Sequence, residues 1–514
     1  MAYFMGIDAG TSGIKAVIMD ERGEIKASAH RECSIITPRP GWAEQNPKVW
    51  WDACCEVAKE ASFRSGCGME VAGIGFSGQM QGCVFLNKYG EVLENCLIWL
   101  DQRSTEFVSE INEKINVDRA LDITGSYCLN SYWAPKLLWV KKYRPDIFEE
   151  IDTVLFPKDY LRFQMTGELA TEVSDASLTF MLDVGKRTWA WELIDKIGIP
   201  RNILPWQLLE SQDIAGYLRE DIAQEWGMKP GIPVVAGGGD QPTGGVGMGI
   251  IEEGIIGSTI GTSGVIFGCT EKPFVDREKR AVMSMCHAVP DKWCFLGLAL
   301  SSGGSFKWIR DNFFAEKKAE LAAEGKNVYD YMTFLAASVW PGSEGLMFMP
   351  WLNGEKTPIN DENARGVFFG LSYRHDLGAL CRSTMEGIVY SLRETIEICR
   401  ERNIDIKEVR AAGGGAKSPL WRQIQADVYN APVVTMNIEE SGCAAGAILA
   451  SVGTGYFESV ADACRSFLHV STRTEPIPKN VEIYEEYFRI YQQMYPTLKE
   501  NFSKQAKIVN KFLS

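Results

Sequence analysis

The chain has 514 residues, 46% of them hydrophobic and 23% charged, with a formal net charge of −14. That length exceeds what a single hydrophobic core keeps filling, so two domains are expected. The acidic balance argues against a duplex nucleic-acid or anionic-membrane partner, because both need a positive face to release counterions or meet headgroups.

Fourteen cysteines are scattered without a CxxC, and the four histidines (His30, His287, His375, His469) form no HExxH and cluster with no cysteine. Buried thiols in a reducing cytoplasm, and no zinc site, are the expectation. "MAYFMGIDAG" reaches Asp8 too soon for the apolar core of a secretory signal, and no apolar run attains about 18 residues. A soluble cytoplasmic protein is expected.

In chain order, residues 3–29 read as strands joined by tight turns, an antiparallel start. "NPKVWWDACCEVAKEASFRS" has helical apolar spacing, with Asn46 as cap and Pro47 at the first helical position. "VAGIGFSG" is then a buried strand. Strand, helix, strand marks an α/β domain. From "WLDQRS" to Trp191 the chain reads as mostly helical and aromatic, with "APKLLWVKKYRPDIF" the clearest amphipathic piece. A second α/β pattern is expected to open at "GIPVVAGGGDQPTGGVGMGIIEEG", where hinge and ligand loop are both live readings. The domains are expected to span 1–247 and 248–514. In the second, "DLGALCRSTMEGIVYSLRETIEICRER" predicts a long helix before the strand "EVRAAGGG", and another helix follows "KSPLWRQIQADVYN". "YEEYFRIYQQMYPTLKENF" predicts a core-packing helix.

The tetrapeptide Gly10-Thr11-Ser12-Gly13 returns as Gly261-Thr262-Ser263-Gly264. Such a turn aims backbone N–H groups and hydroxyls at one point, an arrangement that binds phosphate oxygens, although a plain hairpin has the same letters. Two copies near the starts of two α/β halves favour a shared nucleotide. Asp8 and Lys15 flank the first copy, whereas Thr259 and Ile266 flank the second, so only the first supplies a carboxylate for hydrated Mg2+. "GGGDQPTGG" puts Asp240 in a glycine-rich loop, and "AAGGGAKSPLWRQ" offers bare backbone to a planar ring. No GxxxxGK[ST] is present, so a P-loop enzyme is excluded.

These motifs, with "GWAEQNPKVWW", "GIGFSGQMQG", "APKLLWV", "LFPKDYLRFQMTGE" and "RGVFFGLSYRHDLGALCRSTMEG", resemble the FGGY carbohydrate kinases nearly end to end, and within them the xylulose kinases. The resemblance implies an α/β fold of two actin-like (ribonuclease H-like) domains around a cleft that takes MgATP and sugar. It implies Asp240 as catalytic base and Asp8 as the residue positioning Mg2+ and phosphate, with both carboxylates near the metal. Gly10, Thr11, Ser12, Lys15, Gly261, Thr262, Ser263 and Gly304 would serve the phosphates, and Gly413, Gly414, Gly415 and Ala416 the adenosine. Met80, Gln81, Trp99 and Gln241 would face the sugar with Asp240. The pocket departs from the family at Gln81 (usually His), Leu100 (usually Asn) and Gln241 (also usually Asn), at Trp133 in the first signature, and at Ala379 in the second. Trp99, Trp133 and Trp308 are candidates to line the cleft. Another ketose, a sugar acid or a polyol, and a non-catalytic actin-like nucleotide switch, stay open as alternatives. Family habit points to a homodimer.

Overall fold

The computed structural model describes residues 2–279 and 281–513. β1 (Tyr3–Gly10), β2 (Gly13–Asp20) and β3 (Ile25–Glu32) form the expected antiparallel meander. Phe4, Met5 and Ile7 are fully buried, as in a central strand covered on both faces. α1 (Pro47–Ser65) begins where the Asn46 side chain accepts from the Lys48 N–H, and stops at Gly66, φ 67°. It lies across β2 and β3, and β4 (Val71–Gly78) then pairs parallel with β1.

The amphipathic piece around Trp139 is two helices. α2 (Trp133–Tyr143) and α3 (Pro145–Glu150) divide at Arg144, because the residue before a proline is driven out of the helical region. After α4 (Pro157–Thr166) and the single turn α5 (Val173–Ala176) come β5 (Ile214–Tyr217), β6 (Pro233–Val235) and β7 (Gly238–Gly239). The sheet order is β5-β6-β4-β1-β2-β3, with β7 also pairing β4. "GIPVV", expected to open the second half, therefore completes the first sheet. α6 (Asp240–Gly247) follows directly.

The second sheet contains β8 (Ile255–Ile260), β9 (Gly264–Thr270), β10 (Met283–Cys286) and β11 (Trp293–Ala299). Then come α7 (Gly303–Phe313), α8 (Val328–Ala337), the predicted long helix α9 (Leu377–Glu401), and β12 (Glu408–Gly413). α10 (Gly414–Lys417), α11 (Pro419–Tyr429), β13 (Val433–Met436), α12 (Ser441–Gly453), α13 (Val460–Phe467), β14 (Val470–Thr474) and α14 (Pro478–Leu513) complete the chain. The order is β10-β11-β9-β8-β12-β13-β14. Apart from β10, both sheets have three antiparallel strands, two parallel strands, then an antiparallel edge. Tyr484, Phe488 and Tyr491 of α14 sit in the second core, as their spacing predicts.

The halves interlock. α12 follows a strand of the second sheet yet packs across β1 and β4 of the first. Glycine makes that seat: a Cβ on Gly6 would stand 1.8 Å from the Cys443 carbonyl oxygen, and one on Gly75 would stand 2.1 Å from that of Gly446. α6 meets the start of α12 as closely, with 1.9 Å between a Cβ on Gly247 and the Ser441 oxygen. Gly249 and Gly254, both at positive φ, connect α6 to β8. All fourteen cysteines are free, and all but Cys55 and Cys67 are buried. Among the described residues no helix is long and apolar enough to cross a membrane.

Candidate active site

Asp240 is the first residue of α6, not a loop residue. Pro242 is tolerated in a first turn, and Thr243 ties the turn down by donating to the Gly239 carbonyl at 2.7 Å. The glycines that disguise the helix in sequence serve close packing: a Cβ on Gly245 would lie 2.4 Å from the Phe267 ring. Asp240 is half-buried, and its carboxyl is pushed up to about 7, first by burial and then by the negative charge of Asp8, while Gln241 hydrogen-bonds to it.

Asp8 faces Ser77 on β4 and Lys15 on β2 in the strand register. Burial raises its pKa, hydrogen bonding to Ser77 lowers it, and Glu440 raises it again. Its Oδ1 is buried with no hydrogen-bond partner, an orphaned anionic oxygen. A Cβ on Gly442, in the first turn of α12, would stand 2.9 Å from the Asp8 Cγ, so the carboxylate lies against a helix N-terminus. Among the described residues no cluster of three or more His, Cys, Asp or Glu could hold a metal by itself. The donor set suits Mg2+, which keeps waters and binds through one or two carboxylates plus phosphates.

The two GTSG turns differ. In the first, Gly10 pairs with Gly13, leaving Thr11 and Ser12 as a two-residue turn; in the second, Ile260 pairs with Gly264, leaving a three-residue loop. Ser12 is exposed, but the Thr11 hydroxyl is used: it donates to Gln79 Oε1 (3.1 Å) and accepts from the Trp99 indole (2.9 Å). Gln79 donates to Gln45 (2.9 Å), which donates to the Thr11 carbonyl (2.8 Å), closing a ring that sequence reading missed. Lys15 is ion-paired with Glu440 and is not a free cation.

Trp99 is 45% exposed, and Leu100 beside it is also exposed. Met80 is buried directly under β7, where a Cβ on Gly239 would meet its Cγ and Cε at 2.6 Å. Gln81 is held at φ 68°, a left-handed conformation in which its carbonyl accepts from Lys136 Nζ at 2.8 Å. The same buried ammonium bonds the carbonyls of Leu97 and Ile98 and so joins the Gln81 turn to the Trp99 turn. Asp101 is spent on the Ala43 N–H and Arg103. One of the candidate cleft-lining tryptophans is misplaced by sequence. Trp133 is fully buried, stacks on Phe156 at 4.1 Å and donates to the Gly82 carbonyl. Trp308 packs edge-on against Phe313. Ala379, buried in the first turn of α9, donates its N–H to the Asp376 cap and does not touch this site.

A network of charges underlies Asp240. Lys158 on α4 is fully buried, 2.8 Å from Asp159, 3.2 Å from Glu172 and 3.4 Å from Asp175, and Arg162 pairs with Asp159. Glu172 caps α5, whose Ser174 hydroxyl accepts from the Gly239 N–H at 3.1 Å. Arg162 also donates to the Ala236 carbonyl. The strand that delivers Asp240 is thus anchored to buried ions.

On the second half a cavity of about 530 Å³ is lined by Gly261, Thr262, Gly304, Gly414 and Gly415 from the predicted nucleotide set. Gly413 lies beside it at φ 72°, and Ala416 turns its carbonyl to Arg422. Ser263 closes the second turn by accepting from the Gly261 N–H. Phe306, Lys307, Tyr329 and Trp421 also line the cavity and were not singled out by sequence. A different cavity of about 670 Å³, near Gly249, Arg410 and Val460, faces neither Asp240 nor a GTSG turn.

Residues 3–247 match the N-terminal domain of the FGGY family of carbohydrate kinases, and residues 257–453 match its C-terminal domain. A xylulose kinase of Bacillus subtilis is 34% identical over 97% of this chain and 98% of its own. The crystal structure of a xyloylose kinase from Brucella ovis superposes with a TM-score of 0.87 at 32% identity, covering 97% of this chain and 99% of that one. That of a gluconate kinase from Lactobacillus acidophilus gives 0.89 at 26% identity, covering 98% and 99%. The duplicated sheet, the paired glycine turns and these end-to-end matches agree: the chain belongs to the FGGY family of carbohydrate kinases and is an ATP-dependent sugar kinase.

Proposed function

We propose that the enzyme phosphorylates D-xylulose on its 5-hydroxyl to give D-xylulose 5-phosphate. The observation that carries the choice of sugar is the full-length likeness to a xylulose kinase at 34% identity. The geometry supports the reaction itself. Asp240 takes the proton of the sugar hydroxyl as that oxygen attacks the γ-phosphorus; the O–P bond forms, the bond to the β-phosphate bridging oxygen breaks, and ADP leaves. A carboxyl poised near 7 suits a base working at neutral pH. The first and second GTSG turns hold the phosphates, with the exposed Ser12 serving them from the first. Gly249 and Gly254 are the proposed hinge, and closing the cleft excludes water as a competing acceptor.

Mg2+ bound with ATP supplies charge neutralisation on the phosphates, and Asp8 is the residue placed to hold it through the unpartnered Oδ1. Asp8→Asn is expected to raise the Mg2+ concentration for half-maximal activity roughly 10- to 100-fold. A Mg2+ titration of ADP release that is unchanged in the variant removes Asp8 from this role. Fourteen unpaired thiols fit a reducing cytoplasm as the place of reaction.

The sugar is tested by ADP release on a panel of D-xylulose, ribulose, gluconate, glycerol and erythritol. D-xylulose is expected to give the highest kcat/KM. Preference for gluconate or a polyol instead would trace to Gln81, Leu100 and Gln241, where groups that bond a buried sugar hydroxyl differ by about 1–3 kcal/mol when left unpaired.

A further inference from the structure

α6 begins with Asp240 and is held at its two ends by different halves of the molecule. At the N-terminal end the Gly239 N–H donates to Ser174 Oγ at 3.1 Å and the Thr243 hydroxyl to Ser77 Oγ at 2.9 Å, both partners in the first half. The last turn closes through the N–H groups of Met248, Gly249 and Ile250, which donate to the carbonyls of Gly244, Val246 and Gly245. The Met248 carbonyl lies past these bonds, one of the acceptors that a helix C-terminus leaves for an outside donor.

Arg410 is that donor. It sits on β12 opposite Gly257 of β8 and Val434 of β13, so its backbone belongs to the second sheet, and its Nη1 donates to the Met248 carbonyl at 2.6 Å. Glu408 accepts from the Arg410 Nε at 3.1 Å and from Arg473 at 2.9 Å, which steadies the guanidinium, and a cation at this end complements the helix dipole. Gly249 leaves room for the contact: its φ is 71°, and a Cβ there would stand 2.0 Å from Arg410 Nη1. Just beyond Gly249, the His287 ring holds the Ile250 carbonyl at 2.9 Å. His287 Nδ1 accepts from the Val289 N–H, so Nε2 carries the proton, and burial keeps the ring neutral by holding its pKa down at about 4. The chain after this proposed hinge glycine is thus fixed to the second half, and Arg410 reaches back across the glycine to the end of α6.

The distances are short on both sides of the bond. Gly413, which opens the predicted adenosine loop, lies three residues along the same strand from Arg410, about 10 Å. Asp240 lies eight residues from Met248 along α6, about 12 Å. We propose that Arg410 is a positioning residue that ties the strand of the adenosine loop to the helix of the base, so that nucleotide bound on the second half sets Asp240 against the sugar hydroxyl. The proposal rests on the reading of Asp240 as base and of the Gly413–Ala416 loop as part of the nucleotide site. Arg410 touches neither substrate, and its effect is a coupling between the two.

The test is calorimetric titration of ADP into wild type, Arg410→Met and Arg410→Lys, with and without the sugar that gives the highest kcat/KM. In wild type the sugar is expected to tighten ADP at least about fivefold. In Arg410→Met, ADP affinity without sugar is expected to stay within about twofold of wild type, the enhancement by sugar to fall below about twofold, and kcat to drop about tenfold as Asp240 loses its alignment. Arg410→Lys keeps a donor for the Met248 carbonyl and is expected to recover most of the enhancement and of kcat. Arg410 borders the cavity of about 670 Å³, so the shorter side chain leaves no closed void, and a cooperative urea transition is expected in both variants. A measurement on wild type alone guards against a variant that fails to fold: ADP without sugar is expected to slow amide hydrogen exchange across residues 240–250. Wild-type enhancement in Arg410→Met, a loss of ADP affinity that is equal with and without sugar, or exchange across α6 that ignores ADP overturns the proposal while leaving Asp240 as base. Wild type that binds no ADP overturns the nucleotide reading itself.

Discussion

Asp240→Asn is expected to lower turnover on the sugar by about 10²- to 10⁴-fold with ADP affinity unchanged, the usual loss when a general base is removed. The amide keeps the shape of the carboxyl but cannot take the proton. In wild type, kcat/KM is expected to rise with pH through about 7, because the carboxyl must be ionised to act and burial plus Asp8 hold it there. The variant's residual activity is expected to lack that limb. Stability separates chemistry from misfolding. The folded-state pKa of Asp240 lies above the unfolded value, so its contribution favours the fold below about pH 4 and is lost as pH climbs through about 7. Asparagine does not ionise, so at pH 8 the variant is expected to be at least as stable as wild type.

The second large effect is on stability. Lys158→Met is expected to destabilise the protein by about 3–5 kcal/mol, read as a lowered urea midpoint, since it strands buried carboxylates. Burial alone would push Lys158 down, but Asp159, Glu172 and Asp175 outweigh it and hold the ammonium above its ordinary range. Without it, only Arg162 faces three carboxylates that are completely shielded from solvent. Burial already drives Asp175 well upward, and Asp240 contributes to that shift. A midpoint unchanged to within about 1 kcal/mol would show that the network is not needed for the fold.

Local signals carried the first half well. The meander and α1 follow from apolar and β-branched runs joined by tight turns and from Asn46–Pro47, all short-range devices. The repeated GTSG announced two copies of one topology, though the letters do not distinguish the two-residue turn from the three-residue loop. Long-range packing hid the rest. α6 reads as a loop because of its three glycines, two of which, Gly245 and Gly247, suit close contacts with Phe267 and Ser441, partners remote in the chain. α12 is a string of small residues whose meaning lies in Gly6 and Gly75 of the other half. Trp133 and Asp101 carry chemistry that a cleft could use, yet Phe156 and Arg103 bury it.

The reaction at Asp240 is tested most directly by ADP release with and without D-xylulose, in wild type and Asp240→Asn side by side. Strong stimulation of wild type by the sugar, lost in a variant that still binds ADP, is the expected result. ADP release in wild type that ignores D-xylulose and every other sugar of the panel, or stimulation that survives in Asp240→Asn, would contradict it.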